Sequence, residues 1–570
     1  MFEIALLLTL ALLMAWPLGH YMAGIYSGQP HFSDRLFLPF ERLCYRALGI
    51  DAARGMDWKT YGKAFLFSNL VLGLLAFLLL LLQHRLPLNP DGIGALSWDL
   101  ALHTAVSFIT NTNQQHYSGQ AQLTQLSQTL VIVTLQFVTP AMSLANCVAV
   151  LRGMIGGRNG ATAKEGEARD LGNYYLDVVR SVVRLLLPLA AVVALVLASQ
   201  GVPSSYEAAK KTAVLDPAAE LSELSIPVGP VAAMVAIKQL GTNGGGWYGP
   251  NSSHPLENPT PLSNALETLA ILLLPMATVF MAGGLLRRRG FTWMALAAMG
   301  LLSLACIATI VYSEQTPNAA FAGLSAEGPN LEGKEVRFGP ELSALWATLT
   351  TQTSNGSVNA MHDSLNPLGG LVTRAGMLIN AIWGGVGCGL VNFIVYVWIA
   401  VFLSGLMIGR TPEIFGRKIE TREITLLGVL IVLPTLTILG LTALTVALPS
   451  VAGNTDPGFH GLSQVFYEYT SAFANNGSGF EGLDDDSLWW NLTAVVALIL
   501  GRYLPLLIPL MIAGQLACKR VAPASAGSLR LENRTFTLTL VAVILILNFL
   551  SFLPAMVLGP IGEALQLARP

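Results

Sequence analysis

Long stretches of this chain contain almost no charged residues, and this feature restricts the folds that it can adopt. Nearly charge-free runs lie at 2–15, 65–82, 185–198, 269–286, 294–312, 424–448 and 537–558. Most of them approach the roughly 20 residues that an α-helix needs to cross a bilayer. The chain is only 12% charged, whereas soluble domains have about 25% charged residues. We therefore expect an all-α polytopic membrane protein embedded in a lipid bilayer.

Ten membrane-spanning helices are predicted from the apolar segments, at 2–25, 62–83, 126–151, 174–199, 264–286, 291–313, 371–408, 424–448, 488–517 and 535–558. Most of the 32 Lys and Arg residues fall in alternate connections, at 26–61, 152–173, 287–290, 409–423 and 518–534. Because cytoplasmic connections carry the excess of Lys and Arg, these are predicted to lie inside, with both termini outside. Four long connections then face outward, at 84–125, 200–263, 314–370 and 449–487.

Other classes of function receive no support from the sequence. The formal net charge of -2 provides no basic face for nucleic acid. The five cysteines have no CxxC spacing, so they indicate packing residues and not a disulfide framework or zinc site. The first apolar run has no basic segment before it, which predicts a retained helix and not a cleaved signal peptide.

The four outward connections each contain a short polar element. These elements read ITNTNQQ (109–115), LGTNGGG (240–246), TTSNGS (351–357, with one residue omitted) and AFANNGSG (472–479). Aligning them on the second polar residue pairs Thr112-Asn113 with Thr242-Asn243, Ser354-Asn355 and Asn475-Asn476, and the later three continue with Gly244, Gly356 and Gly477. The first element has Gln114 at the glycine position in this alignment, so the register with Asn111-Thr112 stays open. A recurrence about every 110 to 130 residues predicts a fourfold repeat of span, loop and span.

Each polar element follows a stretch suited to a short helix, at 97–109, 230–240, 340–351 and 462–473. These stretches are too short to cross a bilayer, so we expect re-entrant half-helices. Their C-terminal ends would direct partial negative charge toward the bilayer centre, where it favours a cation. Four loops with short oxygen-bearing side chains can replace the hydration shell of such an ion. The loops have no carboxylate, which favours a monovalent cation over Ca²⁺ or Mg²⁺.

Longer strings of the sequence resemble a known family. They read SFITNTNQQHYSG (107–119), GTNGGGWYGPNSSHPLENPTP (241–261), VNAMHDSLNPLGG (358–370) and GRTPEIFGRKIE (409–420). Over nearly its whole length the chain resembles the A subunits of bacterial Kdp potassium-transporting ATPases, within the superfamily of four-repeat potassium transporters. The resemblance implies a K⁺-binding and translocating subunit in the bacterial inner membrane. It also implies a partner P-type ATPase subunit and two smaller membrane subunits.

The resemblance and the loop pattern together give a set of candidate site residues. The predicted K⁺ ligands are Asn111, Thr112, Asn113, Thr242, Asn243, Gly244, Ser354, Asn355, Gly356, Asn475, Asn476 and Gly477. Candidates for pore or gate residues are Gln115, Arg502, Gly384, Gly385, Gly387 and Gly389. The glycines can either allow close helix packing or break the seventh span to form a gate. Arg502, near the centre of a span, needs a partner or water because a central arginine costs about 2.5 to 3.5 kcal/mol.

Two further groups of charged and polar residues carry weaker signals. His254 and His362 each precede an Asn-Pro pair, and we expect both to tie a loop to the next helix. Arg180, Arg184 and Arg374 lie nearer the ends of spans, where their side chains are predicted to extend to the interface.

The predicted organisation is a first helix with its cytoplasmic connection (1–61), four pore repeats (62–151, 152–290, 291–423 and 424–517) and a last helix (518–570). No organic cofactor is expected. The sequence contains neither G-x-x-x-x-G-K-[ST] nor DKTG, so a partner must supply ATP hydrolysis if the resemblance holds. Two alternatives stay open. One is a self-sufficient K⁺ or Na⁺ channel or symporter, and the other is a membrane enzyme that uses His362 and Asp363.

Overall fold

The computed structural model describes residues 1–158, 169–216, 221–321, 328–522 and 530–568. Within these ranges, ten helices are long and apolar enough to cross a membrane, which confirms the predicted number. They are Phe2–Tyr26, Trp58–Leu81, Ser127–Met154, Tyr174–Ser199, Pro261–Leu286, Arg289–Glu314, Cys388–Met407, Thr421–Val446, Leu488–Cys518 and Arg534–Met556. Parts of the predicted connections at 152–173, 200–263, 314–370 and 518–534 lie outside the described residues.

Shorter elements join or extend these helices. π-Helical turns occur at Ser127–Val133, Val182–Leu186 and Val557–Ile561, and short α-helices at Asp34–Ala47, Gly119–Gln122, Pro449–Ala452 and Gly562–Leu567. Single 3₁₀ turns lie at Gln83–Arg85, Asn251–Ser253 and Ala319–Phe321. Two antiparallel hairpins pair Lys210–Ala213 with Glu223–Ile226, and Glu413–Ile414 with Arg417–Lys418.

Four half-helices enter the bundle, as the sequence predicts, at Trp98–Ile109, Val231–Leu240, Gly339–Gln352 and Gly458–Ala474. The first is capped by Ser97, whose hydroxyl accepts a hydrogen bond from the Leu100 amide. Met1 and the last described helix, Gly562–Leu567, lie on the side where the half-helices begin. The Met1 ammonium pairs with Glu341, and Glu563 accepts a hydrogen bond from the ring of His460 at 2.9 Å.

The seventh predicted span, at 371–408, is not one helix. Helix Pro367–Ile379 ends at Asn380, and Cys388–Met407 begins only after Gly387. Left-handed backbone makes the break, with φ of 45° at Asn380, 53° at Gly384, 82° at Gly385 and 85° at Gly387. A helix cannot continue through residues in this conformation, so the seventh span is interrupted, which is one of the two alternatives that the sequence left open.

The prediction that three arginines extend to the membrane interface is wrong for two of them. Arg184 is buried and donates to the carboxylates of Glu41 and Asp34 on helix Asp34–Ala47. Arg374 is buried and donates to the carbonyl oxygens of Gly370 and Ser463. Except for Gly370, these partners come from distant segments of the chain, so the position of an arginine along its span did not reveal them.

Candidate cation filter

The four half-helices end at one ring of short loops in the centre of the bundle. We call Asn111–Asn113 loop 1, Thr242–Gly244 loop 2, Ser354–Gly356 loop 3 and Asn475–Gly477 loop 4. In each loop the backbone amide of the middle residue donates to the carbonyl oxygen of the residue five positions earlier. These acceptors are Ser107, Lys238, Thr350 and Ser471 in loops 1 to 4. All twelve loop residues are buried or nearly so. The same local structure is therefore built four times.

Backbone conformation decides the register that the sequence left open. The first residue of every loop has a positive φ: 64° at Asn111, 49° at Thr242, 49° at Ser354 and 53° at Asn475. The third residue also has a positive φ, which is 54° at Asn113 and 82°, 87° and 103° at Gly244, Gly356 and Gly477. Asn113 therefore occupies the glycine position, and the alignment that placed Gln114 there is wrong. Asparagine tolerates left-handed backbone better than most residues, which explains why it can replace glycine in loop 1.

Direct contacts between neighbouring loops close the ring. The Asn111 side chain donates to the carbonyl oxygen of Thr242 at 3.1 Å. The Asn475 side chain donates to the Thr112 hydroxyl at 2.9 Å. Cβ atoms added at Gly244 and Gly356 would lie 2.0 Å from the carbonyl oxygens of Asn355 and Asn476. Each loop thus packs against the next with no room for a further methyl group.

Two asparagines connect the loops to neighbouring half-helices. Asn355 donates to the Lys238 carbonyl at 3.0 Å, and Asn476 donates to the Thr350 carbonyl at 2.8 Å. Their side-chain oxygens accept the amides of Ser357 and Ser478 at 2.9 and 3.1 Å. The side chains of Asn355 and Asn476 therefore brace their loops against the neighbouring half-helices.

Gln115, a predicted pore residue, forms two hydrogen bonds with the backbone of the segment that follows loop 2. Its amide nitrogen donates to the Gly246 carbonyl at 3.0 Å, and its oxygen accepts from the Gly246 amide at 2.8 Å. The side chain therefore fixes loop 1 against the segment that follows loop 2.

A buried ion pair behind loop 2 was not predicted from the sequence. The Lys238 ammonium donates to Glu257 and, at 2.7 Å, to the side chain of Asn251. Glu257 also accepts the Tyr248 amide at 2.8 Å. Asn251 donates to the Gly244 carbonyl at 2.6 Å, so the ion pair connects directly to the filter.

A small cavity lies directly beneath the ring. Its volume is about 20 Å³, and its lining includes the first residues of loops 1, 3 and 4 together with Arg502. Arg502 is buried and donates to the hydroxyl of Ser143. Asn380, from the helix break, accepts from the Ser354 hydroxyl at 2.7 Å and donates to the Ala474 carbonyl at 3.1 Å. The structure therefore brings the predicted arginine and the glycine break together below the loops.

His254 and His362, the two histidines predicted to tie a loop to the next helix, have different surroundings. His254 stacks on Tyr248 with ring centroids 4.0 Å apart. His362 hydrogen bonds to the Tyr467 hydroxyl at 2.9 Å, and burial lowers its pKa to about 3. Asp363 instead contacts His460 at 3.1 Å. The side chains of His362 and Asp363 thus have different partners, which does not favour joint acid-base chemistry.

The fold and the ring of loops define a four-repeat membrane transporter. The structure is similar to the crystal structure of the potassium transporter TrkH from Vibrio parahaemolyticus, with a TM-score of 0.52 and 15% identity, covering 88% of this chain and 97% of that one. The chain belongs to the potassium-transporting ATPase A subunit family, whose sequence profile matches residues 5–565.

Relatives at higher identity are potassium-transporting ATPase potassium-binding subunits. The subunit of Gloeobacter violaceus is 45% identical, covering 96% of this chain and 94% of its own. That of Synechocystis sp. is 44% identical, covering 99% of both chains. The similarity therefore includes every described element of the ring.

Proposed function

We propose that this chain is the K⁺-binding and translocating subunit of an ATP-driven, high-affinity potassium uptake system. The observation that carries the proposal is the closed ring of four equivalent loops, each at the C-terminal end of a half-helix. Carbonyl oxygens and helix dipoles at one point favour a cation. The ligands we propose are the twelve residues of loops 1 to 4, and the ring has no carboxylate that would favour a divalent ion.

The chain needs partners for this activity. We propose a P-type ATPase subunit that hydrolyses ATP, together with two smaller membrane subunits, in a bacterial inner membrane. K⁺ enters from the side where the half-helices begin, which is the outer side, and both termini lie there. The repeat boundaries at 62–151, 152–290, 291–423 and 424–517 belong to the same proposal.

Arg502 is proposed to limit the exit of ions from the filter, since its charge lines the cavity beneath. We expect Arg502→Gln to weaken discrimination of K⁺ against Na⁺ by roughly tenfold, equivalent to about 1.4 kcal/mol. The charge-preserving Arg502→Lys should stay within about twofold of the parent, a difference of less than about 0.5 kcal/mol. The measurement is the half-saturation of ATP hydrolysis by each cation in the purified complex. Equal behaviour of the two variants would contradict a role for the charge.

The glycine break is proposed to gate the route below the filter. Its Val386 amide donates to the Thr242 side chain at 3.1 Å, so movement of the segment reaches loop 2. A Cβ at Gly389 would lie 2.2 Å from the Trp383 carbonyl oxygen. We therefore expect Gly389→Ala to reduce Rb⁺ uptake by about tenfold or more, the effect of about 1.4 kcal/mol. Unchanged flux in an assembled complex would refute the gate.

The experiment that tests the proposed function is cation-stimulated ATP hydrolysis by the reconstituted complex. K⁺ should stimulate hydrolysis, Rb⁺ less, and Na⁺ least. Cation flux through the chain alone, with no stimulation of an ATPase by K⁺, would instead support the self-sufficient channel or symporter.

A further inference from the structure

A second cluster of ion-binding side chains lies beside the filter, between the segment after loop 1 and half-helix Gly458–Ala474. It consists of His116, Glu468 and Asp485, each of which offers one ligand atom within 4.8 Å of the others. His116 and Glu468 are buried, whereas the Asp485 side chain is 29% exposed. The cluster is thus closed toward the protein and reached from outside past Asp485.

Its distances suit a small divalent ion. The His116 Nε2 atom lies 3.3 Å from Glu468 Oε1 and 3.9 Å from Asp485 Oδ2. Ligand atoms around tetrahedral Zn²⁺, at bonds of about 2.0 to 2.2 Å, are separated by about 3.3 Å. Histidine and carboxylate are both zinc ligands, and open zinc sites combine three protein ligands with one water.

Neighbouring side chains prepare the ligands for a metal. The His116 Nδ1 atom lies 2.8 Å from the Asn491 side-chain oxygen, and Asn491 donates to Asp99 at 2.8 Å. This contact assigns the proton to Nδ1 and leaves Nε2 as the ligand atom, the usual outer-sphere arrangement for a metal-bound histidine.

Buried atoms without partners provide a separate indication. Glu468 Oε2 is buried and has no hydrogen-bond partner among the described residues. The same holds for both ring nitrogens of His103, whose ring stacks on His116 at 3.7 Å. Buried polar atoms normally have partners, so an ion held by both carboxylate oxygens of Glu468 would account for the free Oε2 atom.

We propose that His116, Glu468 and Asp485 form a binding site for Zn²⁺ or a similar first-row divalent ion that inhibits transport from the outer side. Glu468 also accepts a hydrogen bond from Gln114, the residue directly after loop 1. A metal that uses this carboxylate withdraws the partner of Gln114 and loosens loop 1. The inhibition rests on the proposed function, but the binding of the ion does not.

The test is direct Zn²⁺ binding to the purified, nucleotide-free complex, measured by calorimetry, with X-ray absorption to identify the ligands. We expect one Zn²⁺ per complex at this site, with one imidazole and only nitrogen or oxygen ligands. Asp485→Asn and His116→Gln should each weaken Zn²⁺ binding by at least about tenfold. Because Asp485 is partly exposed, Asp485→Asn keeps the test valid if the buried His116→Gln variant fails to fold. The exposed His84→Ala should bind Zn²⁺ as the parent does.

A second measurement separates the two proposals. Zn²⁺ should raise the K⁺ half-saturation of the parent complex and not that of the Asp485→Asn variant. Binding without this effect would overturn the inhibitory role only. Equal Zn²⁺ affinity in the parent and the Asp485→Asn variant would overturn the site itself. Loss of Zn²⁺ binding in His460→Ala, with binding kept in Asp485→Asn, would overturn it as well. A complex that binds Zn²⁺ but shows no K⁺ response would count against the proposed function alone.

Discussion

Replacing Gly244 by alanine is expected to remove high-affinity K⁺ binding, although the change adds one methyl group. The new Cβ would lie 2.0 Å from the Asn355 carbonyl oxygen and 2.5 Å from the Ser357 amide nitrogen. Gly244 also has a φ of 82°, and a non-glycine residue in strained backbone costs about 1 to 3 kcal/mol. Loop 2 or loop 3 must therefore move, and the carbonyl oxygens of the ring move with it.

The measurement is the K⁺ concentration that gives half-maximal ATP hydrolysis in the assembled complex, together with Rb⁺ uptake. We expect the half-saturation to rise by about 100-fold or more, equivalent to about 2.8 kcal/mol. Gly356→Ala and Gly477→Ala should act similarly, because their added Cβ atoms would lie 2.0 and 2.2 Å from neighbouring carbonyl oxygens.

Two further variants control this prediction. Gly94 lies in the connection before half-helix Trp98–Ile109, with no atom within 4 Å of an added Cβ, so Gly94→Ala should behave as the parent. Asn113 has a φ of 54°, so Asn113→Gly should preserve the backbone of loop 1. A Gly244→Ala complex that assembles and retains the parent half-saturation would disprove the tight ring.

The elements around the filter could be predicted from the sequence because each leaves a local signal. Charge-free runs of sufficient length indicated the spans, and the recurring Asn-Gly pairs indicated three of the four loops. Loop 1 was ambiguous because it has no glycine to mark the left-handed position. Only the φ of Asn113 shows that asparagine replaces it there. Glycine and asparagine both tolerate a positive φ, so the sequence alone does not show which residue of loop 1 adopts it.

The polar contacts that support the loops could not be predicted, because their partners are far apart in the chain. The Asn380 side chain joins Ser354 to Ala474, and the sequence around Asn380 indicates neither partner. Arg374 stacks on the ring of Phe480 at 4.4 Å, a contact invisible to hydropathy. Burial of a charge depends on tertiary neighbours, and hydropathy along one segment does not include them.

The buried pair of Lys238 and Glu257 provides the second large prediction. Both side chains are fully buried, and removing one partner of a buried ion pair costs about 3 to 5 kcal/mol. The Lys238 carbonyl also accepts the amides of Asn243 and Gly244 at 2.9 and 3.2 Å. Lys238→Met should therefore lower both the thermal stability of the complex and its K⁺ affinity.

A rescue and a matched control make this prediction specific. The double variant Lys238→Met, Glu257→Gln removes both charges and should recover much of the lost stability, since uncharged replacements of buried pairs are often tolerated. Lys334 forms a second buried pair with Glu314 at 2.9 Å, but its described hydrogen bonds reach no filter loop. Lys334→Met should lower stability with little change in K⁺ half-saturation. If Lys238→Met matched Lys334→Met in both measurements, the ion pair would support the fold without shaping the filter.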